Sequence, residues 1–105
     1  MKILIQINAD NVLLCHEALS MAFALASFDH EIQLFLGDYM CDCLHAEPDG
    51  KFAKMLTSLD LYDMPNFWVN QQNFNKIKHL NLTSQLVENL VEKTNSNEFD
   101  TNFYL

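Results

Sequence analysis

Leu59-Asp60-Leu61-Tyr62-Asp63-Met64-Pro65-Asn66-Phe67-Trp68-Val69-Asn70 is the stretch whose reading decides the fold. It reads as the end of a helix, a turn, and a short apolar strand that stops at an amide. In open parallel α/β sheets, ligands and chemistry gather where strands end at their carboxyl side. Asn70 stands at such an end.

Upstream, Lys2 to Asn8 alternates and then runs apolar through Ile3, Leu4, Ile5 and Ile7, as a strand buried on both faces of a parallel sheet does. Asp10 or Asn11 can cap a helix over Val12–Ser27 by accepting a backbone N–H. One stripe of that helix (Val12, Cys15, Leu19, Ala22, Phe23, Ala26) has the spacing of a sheet-facing side. A second stripe holds Leu14, Ala18, Met21, Leu25 and Phe28. Leaving Leu14, Met21, Leu25 and Phe28 in water forfeits roughly 6–12 kcal/mol, at roughly 1.5–3 kcal/mol per large apolar side chain. Two readings follow: the curvature of helix and sheet buries both stripes within one domain, or the second stripe packs on another subunit.

Glu31–Leu36 is the second strand, ended by Gly37-Asp38. Tyr39–His45 is a short segment compatible with a helix, and Glu47-Pro48-Asp49-Gly50 is a loop. Phe52, Met55, Leu56 and Leu59 give Lys51–Asp60 a helical period. Past the third strand, Asn66–Val69, a modest helix is expected over Asn70–Lys78. Leu80-Asn81-Leu82 is a candidate fourth strand. Thr83 then caps a helix to about Lys93, with Leu82 and Val87 as a hydrophobic staple and Leu86, Val87, Leu90 and Val91 as its core side. Thr94–Glu98 reads as loop and Phe99–Leu105 as a last strand along a sheet edge. Alternating strands and helices mean right-handed βαβ units, a parallel sheet and helices on both faces.

The 105 residues suffice for one domain, and the apolar half of them builds a core without metal or disulfide staples. No run reaches the roughly 18–20 apolar residues that cross a bilayer, and the first residues lack the regions of a signal peptide. A cytoplasmic location is expected. Net charge is −8, with six dispersed lysines and no arginine. Phosphate backbones are held by clustered cations, so direct contact with nucleic acid is not expected.

The three cysteines, Cys15, Cys41 and Cys43, are an odd number and are expected to be reduced thiols. Cys41-Asp42-Cys43 lies just past the second strand. In an extended segment its sulfurs share a side; on a helix they stand roughly 200° apart. Thiol chemistry needs a lowered pKa, and Asp38, Asp42 and Glu47 act the other way. Persulfide chemistry, metal binding and inert packing are the available readings, and inert packing is the expected one. Cys15 belongs to the core stripe. Asn8-Ala9-Asp10-Asn11 offers no Gly-rich phosphate cradle, and no nucleophile elbow, paired zinc motif or H-E-x-x-H occurs. The four histidines are isolated, and no metal or cofactor is expected.

At the opening stretch the chain resembles the DsrE/DsrF-like family, most closely its TusC (DsrF) branch. The matching residues are Leu59-x-Leu61-Tyr62-Asp63 followed by Phe67-Trp68-Val69, preceded by Leu34-Phe35-Leu36-Gly37-Asp38, with Phe99-Asp100 before a brief apolar end. This resemblance implies a single three-layer α/β/α domain over 1–105, with a parallel sheet of about five strands, working inside a larger cytoplasmic assembly. TusC-like chains join TusB-like and TusD-like subunits in a heterohexamer. That complex relays persulfide sulfur towards 2-thiolation of the wobble uridine of certain tRNAs. The family's working Cys lies at the end of the third strand; the corresponding place here is at or beside Asn70, and no thiol stands anywhere from Asp60 to Leu105. An amide cannot carry persulfide sulfur. The resemblance therefore carries over an architecture and a partnership without a catalytic role. The chain is also a little short for the branch, and its Gln71-Gln72-Asn73 helix start is unusually polar.

Three functions remain in view. The chain is a non-catalytic subunit of a sulfur relay, a small sulfurtransferase that uses Cys41 or Cys43, or a DsrE-like module that self-associates through Leu14, Met21, Leu25 and Phe28.

Overall fold

The computed structural model describes residues 1–80, 82, 84–87, 90 and 98–105. Their elements run β1 (Lys2–Ile7), α1 (Val12–Ser27), β2 (Glu31–Leu36), α2 (Asp38–Ala46), α3 (Lys51–Leu56), a 3-10 turn (Leu59–Tyr62), β3 (Phe67–Val69), α4 (Gln71–Ile77), β4 (Ser84–Leu86) and β5 (Thr101–Tyr104). The sheet is five-stranded with order β4-β3-β2-β1-β5, and every pairing is parallel. No described helix is long and apolar enough to cross a membrane.

The strand order fixes the layers. Each step from β1 to β4 moves the same way across the sheet, so right-handed crossovers put α1 to α4 on one face. That face holds the larger core, where Ile3, Ile5, Ile7, Leu34, Leu36 and Phe67 meet Leu19, Met40, Leu44 and Ile77. The alternate residues Leu4, Phe35 and Trp68 point the other way and pack with Val87, Leu90 and Phe99. Val87, Leu90 and Phe99, the described residues of this cluster outside the strands, lie on this second face. Trp68 meets Phe99 edge to face at 5.7 Å. Gln33, buried on the same face, donates from Nε2 to Asn66 O at 2.9 Å and so ties β2 to the approach of β3.

Local chemistry sets the boundaries. Asn11 Oδ1 accepts from Leu14 N at 2.8 Å and starts α1 where expected. The single helix expected over Lys51–Asp60 breaks after Leu56. There Thr57 Oγ1 and Ser58 Oγ both donate to Lys54 O, at 2.7 and 3.4 Å, and these local bonds compete with continued helix. Asp63 then takes a left-handed conformation, φ 56°, that turns the chain into β3.

The expectation after α4 needs correction. Leu82 is in no strand, and Asn81 lies outside the described residues. The fourth strand is Ser84–Leu86, which pairs Phe67↔Ser84, Trp68↔Gln85 and Val69↔Leu86. The expected helical staple of Leu82 and Val87 is thereby replaced, because Val87 closes the second core beside Trp68. Thr83 and Val91, the expected cap and core member of that helix, lie outside the described residues, as does Lys93 at its expected end.

The second stripe of α1 is divided between core and surface. Met21 and Leu25 are half-buried against the core, whereas Leu14 and Phe28 are 48% and 76% exposed. Phe23, on the other flank, stacks on Tyr62 with ring centroids 4.7 Å apart. The Leu14–Phe28 flank lies on the side of α1 opposite Phe23.

Candidate functional site

All strands end at one carboxyl edge, where β1 ends at Ile7, β2 at Leu36 and β3 at Val69 side by side. After these three strands the chain borders an open cleft of about 480 Å³ lined by Asn8, Asp10, Phe35, Gly37, Asp38, Tyr39, Asp42 and Asn70. Gly37 is required by close approach rather than by its φ of −83°. A Cβ there would lie 2.6 Å from Asn8 Oδ1 and 2.9 Å from Ile7 O. The missing side chain lets the start of α2 press against the end of β1.

Asn70 directly follows β3, and its side chain is engaged. Its Oδ1 accepts from Asn73 N at 2.8 Å and caps α4. An amide here thus has a structural task. Asn70→Ala is expected to lower stability by about 1 kcal/mol, read from urea unfolding midpoints, while Asn70→Asp keeps most of it.

Behind the cap, Asn73 is fully buried and donates from Nδ2 to Asp38 Oδ1 at 2.9 Å. Lys76, one turn on, pairs with Asp42 of α2, and that hydrogen bond holds the ammonium above its ordinary pKa. His45 Nδ1 lies 3.2 Å from Lys76 O. These contacts clasp α2 to α4 along the cleft. The clasp joins residues far apart in sequence, and its one local signal is the polar Gln71-Gln72-Asn73 start of α4.

The Cys-x-Cys pair is helical, so its sulfurs diverge. Cys41 is fully buried, and its Sγ faces Leu36 O at 3.9 Å. Burial, opposed by Lys76 and aided by Asp38 and Asp42, pushes its pKa up to about 12. Cys43 is half-buried on the other side of α2 and lines a separate cavity of about 270 Å³ with Val12, Ala46, Glu47, Gly50, Lys51 and Phe52. Cys15 is buried in the core stripe, as expected. Its Sγ donates to Ala9 O at 3.4 Å, and burial, then Cys43 and Asp10, raises its pKa. The structure therefore does not bring Cys41, Cys43 and Asn70 into one site. Asn70 lies on the carboxyl-edge cleft, Cys41 lies beneath α2, and Cys43 opens elsewhere. Among the described residues no group of three or more His, Cys, Asp or Glu side chains is placed to hold a metal ion.

A five-stranded, all-parallel sheet carrying, among the described residues, helices α1 to α4 on one face defines an α/β protein of the DsrE/DsrF-like fold. The crystal structure of the ychN protein from E. coli shares it, with a TM-score of 0.74 and 19% sequence identity over 99% of this chain and 98% of that one. No protein-family profile matches the sequence, and no curated protein matches it.

Proposed function

We propose that this chain is a non-catalytic, TusC-like structural subunit of a cytoplasmic sulfur-relay complex that supports wobble-uridine thiolation. Its partners in that reading are TusB-like and TusD-like subunits, one of which supplies the sulfur-carrying thiol. The observation that carries the reading is Asn70. It occupies the end of β3, where the resemblance expects a Cys, and its oxygen is committed to capping α4. The other thiols do not substitute well at that place. Two are buried with raised pKa values, and thiolate, not thiol, is the nucleophile. The exposed apolar residues of α1 further suit a chain that works in an assembly.

A second reading uses Cys43 as a sulfur carrier, because it is the one thiol not fully buried and it lines a cavity. Co-expression with a TusD-like relative that carries the strand-three Cys, followed by sizing and mass analysis, separates the two. The scaffold reading expects a mixed complex with added sulfur on the relative alone. A chain that stays apart from such partners, or that carries the sulfur itself on Cys43, contradicts it.

A further inference from the structure

His45 and His79 stand far apart in the chain, and no motif spacing links them. The fold nevertheless brings their rings together, with centroids 5.6 Å apart and planes at 82°. Two helix ends make this meeting. α2 and α4 both leave the carboxyl edge of the sheet and run back along the same face, so they finish side by side. His45 is in the last turn of α2, and His79 directly follows Lys78, the cap of α4. The last carbonyls of a helix have no partner inside it. Lys76 O is one of these, and it lies 3.2 Å from His45 Nδ1. A carbonyl oxygen only accepts, so Nδ1 donates and neutral His45 keeps its lone pair on Nε2. Metal-binding imidazoles are held in this way, with a backbone carbonyl fixing the nitrogen that does not bind.

The geometry points to a two-imidazole site for a divalent first-row transition ion such as Zn²⁺, held by His45 and His79 between the ends of α2 and α4. An imidazole nitrogen binds Zn²⁺ at roughly 2.0–2.1 Å, which puts the ion roughly 3.2 Å from the ring centre, so two rings at a tetrahedral angle have centres about 5.2 Å apart. The observed 5.6 Å differs from that by roughly 0.4 Å, which exposed side chains close by small torsions. Both rings are exposed, so the ion reaches them without opening the fold. The carboxyl ends of two helices place negative partial charge beside the pair, where a cation gains from it. The Lys76 ammonium, which would oppose the ion, is already paired with Asp42. Among the described residues no third His, Cys, Asp or Glu completes the set, so water takes the remaining positions. Imidazole also selects the metal class, because Mg²⁺ and Ca²⁺ take oxygen ligands. The ion would join α2 to α4 beside the Asp42–Lys76 and Asn73–Asp38 contacts. This inference is independent of the sulfur-relay reading.

Calorimetric titration of the full chain with Zn²⁺ alone, at pH 7.5 and without chelating buffer, tests it. One ion per chain is expected, and it raises the urea unfolding midpoint because it binds the folded arrangement. His45→Gln and His79→Gln change exposed residues and keep a polar side chain, so circular dichroism shows the fold retained. Each is expected to weaken Zn²⁺ binding at least about 10-fold, the least that loss of even an outer-shell partner commonly costs, and to abolish the midpoint shift. His16→Gln and Cys43→Ser, which alter ligand types elsewhere on the chain, leave both readouts unchanged. A bare edge-to-face contact between the two rings predicts no ion, so absence of binding up to roughly 1 mM Zn²⁺, the weak end of specific affinity, overturns the proposal. Binding that survives both His45→Gln and His79→Gln, or that Cys43→Ser abolishes, overturns it equally. Failure here leaves the sulfur-relay reading to its own test, since that reading concerns partners and sulfur loading.

Discussion

Phe67→Ala lowers the unfolding free energy by about 3–5 kcal/mol. Phe67 is 1% exposed and begins β3, a strand of three residues. Its ring belongs to the main core with Leu36, Val69 and Ile77. Truncation removes the transfer energy of the ring and leaves a cavity that surrounding strands cannot close. A domain of this size has roughly 5–15 kcal/mol in all, so a large share of the stability is lost. The same strand carries Asn70 to the cleft, and the substitution therefore also loosens the cap of α4. Urea unfolding followed by circular dichroism reads the loss from the shift in midpoint. Val12→Ala, at a 49% exposed helix position, stays within about 0.5 kcal/mol of the parent. A loss under about 1 kcal/mol for Phe67→Ala would mean that β3 is not packed as described.

The second large effect is alkaline, and it comes from Cys41. Its thiol ionises ordinarily at 9.0 and in the fold at about 12, because burial favours the neutral form. Above pH 9 the unfolded chain loses this proton while the folded chain keeps it. The folded state then binds more protons, so stability falls as pH rises, by up to about 1.4 kcal/mol per pH unit until the folded thiol also ionises. Below pH 9 the contribution is fully present. Other groups titrate in the same range, and Cys41→Ala removes only this one. Unfolding free energies of parent and variant are therefore expected to converge between pH 9 and 10.5, the parent having the steeper decline. Parallel declines would contradict the burial of Cys41.

Val12–Ser27 was legible to the residue because Asn11 is a strong cap and the apolar period behind it is long. The parallel sheet was legible from Ile3–Ile7 and Ile32–Leu36, and β3 from Phe67-Trp68-Val69. The placement of β4 was not. Ser84-Gln85-Leu86 has little strand character of its own, and Leu86, Val87 and Leu90 fall at helical spacing. Pairing with β3 overrides that local preference, as tertiary contacts commonly do for short strands. The break after Leu56 depends on hydroxyls bonding back to Lys54 O, which helical periodicity does not register. The end of β3 at Val69, with Asn70 next, is legible because a strand end can be read from its apolar run. The Asn73–Asp38 and Lys76–Asp42 contacts join residues 35 and 34 positions apart, and no local pattern encodes them. The periodicity of α1 offers two readings of its second stripe, inside one domain or packed on another subunit. In the fold Met21 and Leu25 lean on the core while Leu14 and Phe28 stand out, because a helix flank over a sheet edge has neighbours on one side only.

The proposal that no thiol of this chain carries sulfur is tested most directly by intact-mass spectrometry. The purified chain is incubated with a cysteine desulfurase and cysteine, beside a relative bearing a Cys at the end of its third strand. The expected result is added sulfur on the relative and an unchanged mass for this chain, with Cys15, Cys41 and Cys43 all recovered as free thiols. A sulfur adduct formed on this chain in the absence of any other relay subunit, and mapped to one of those three residues, would contradict the account.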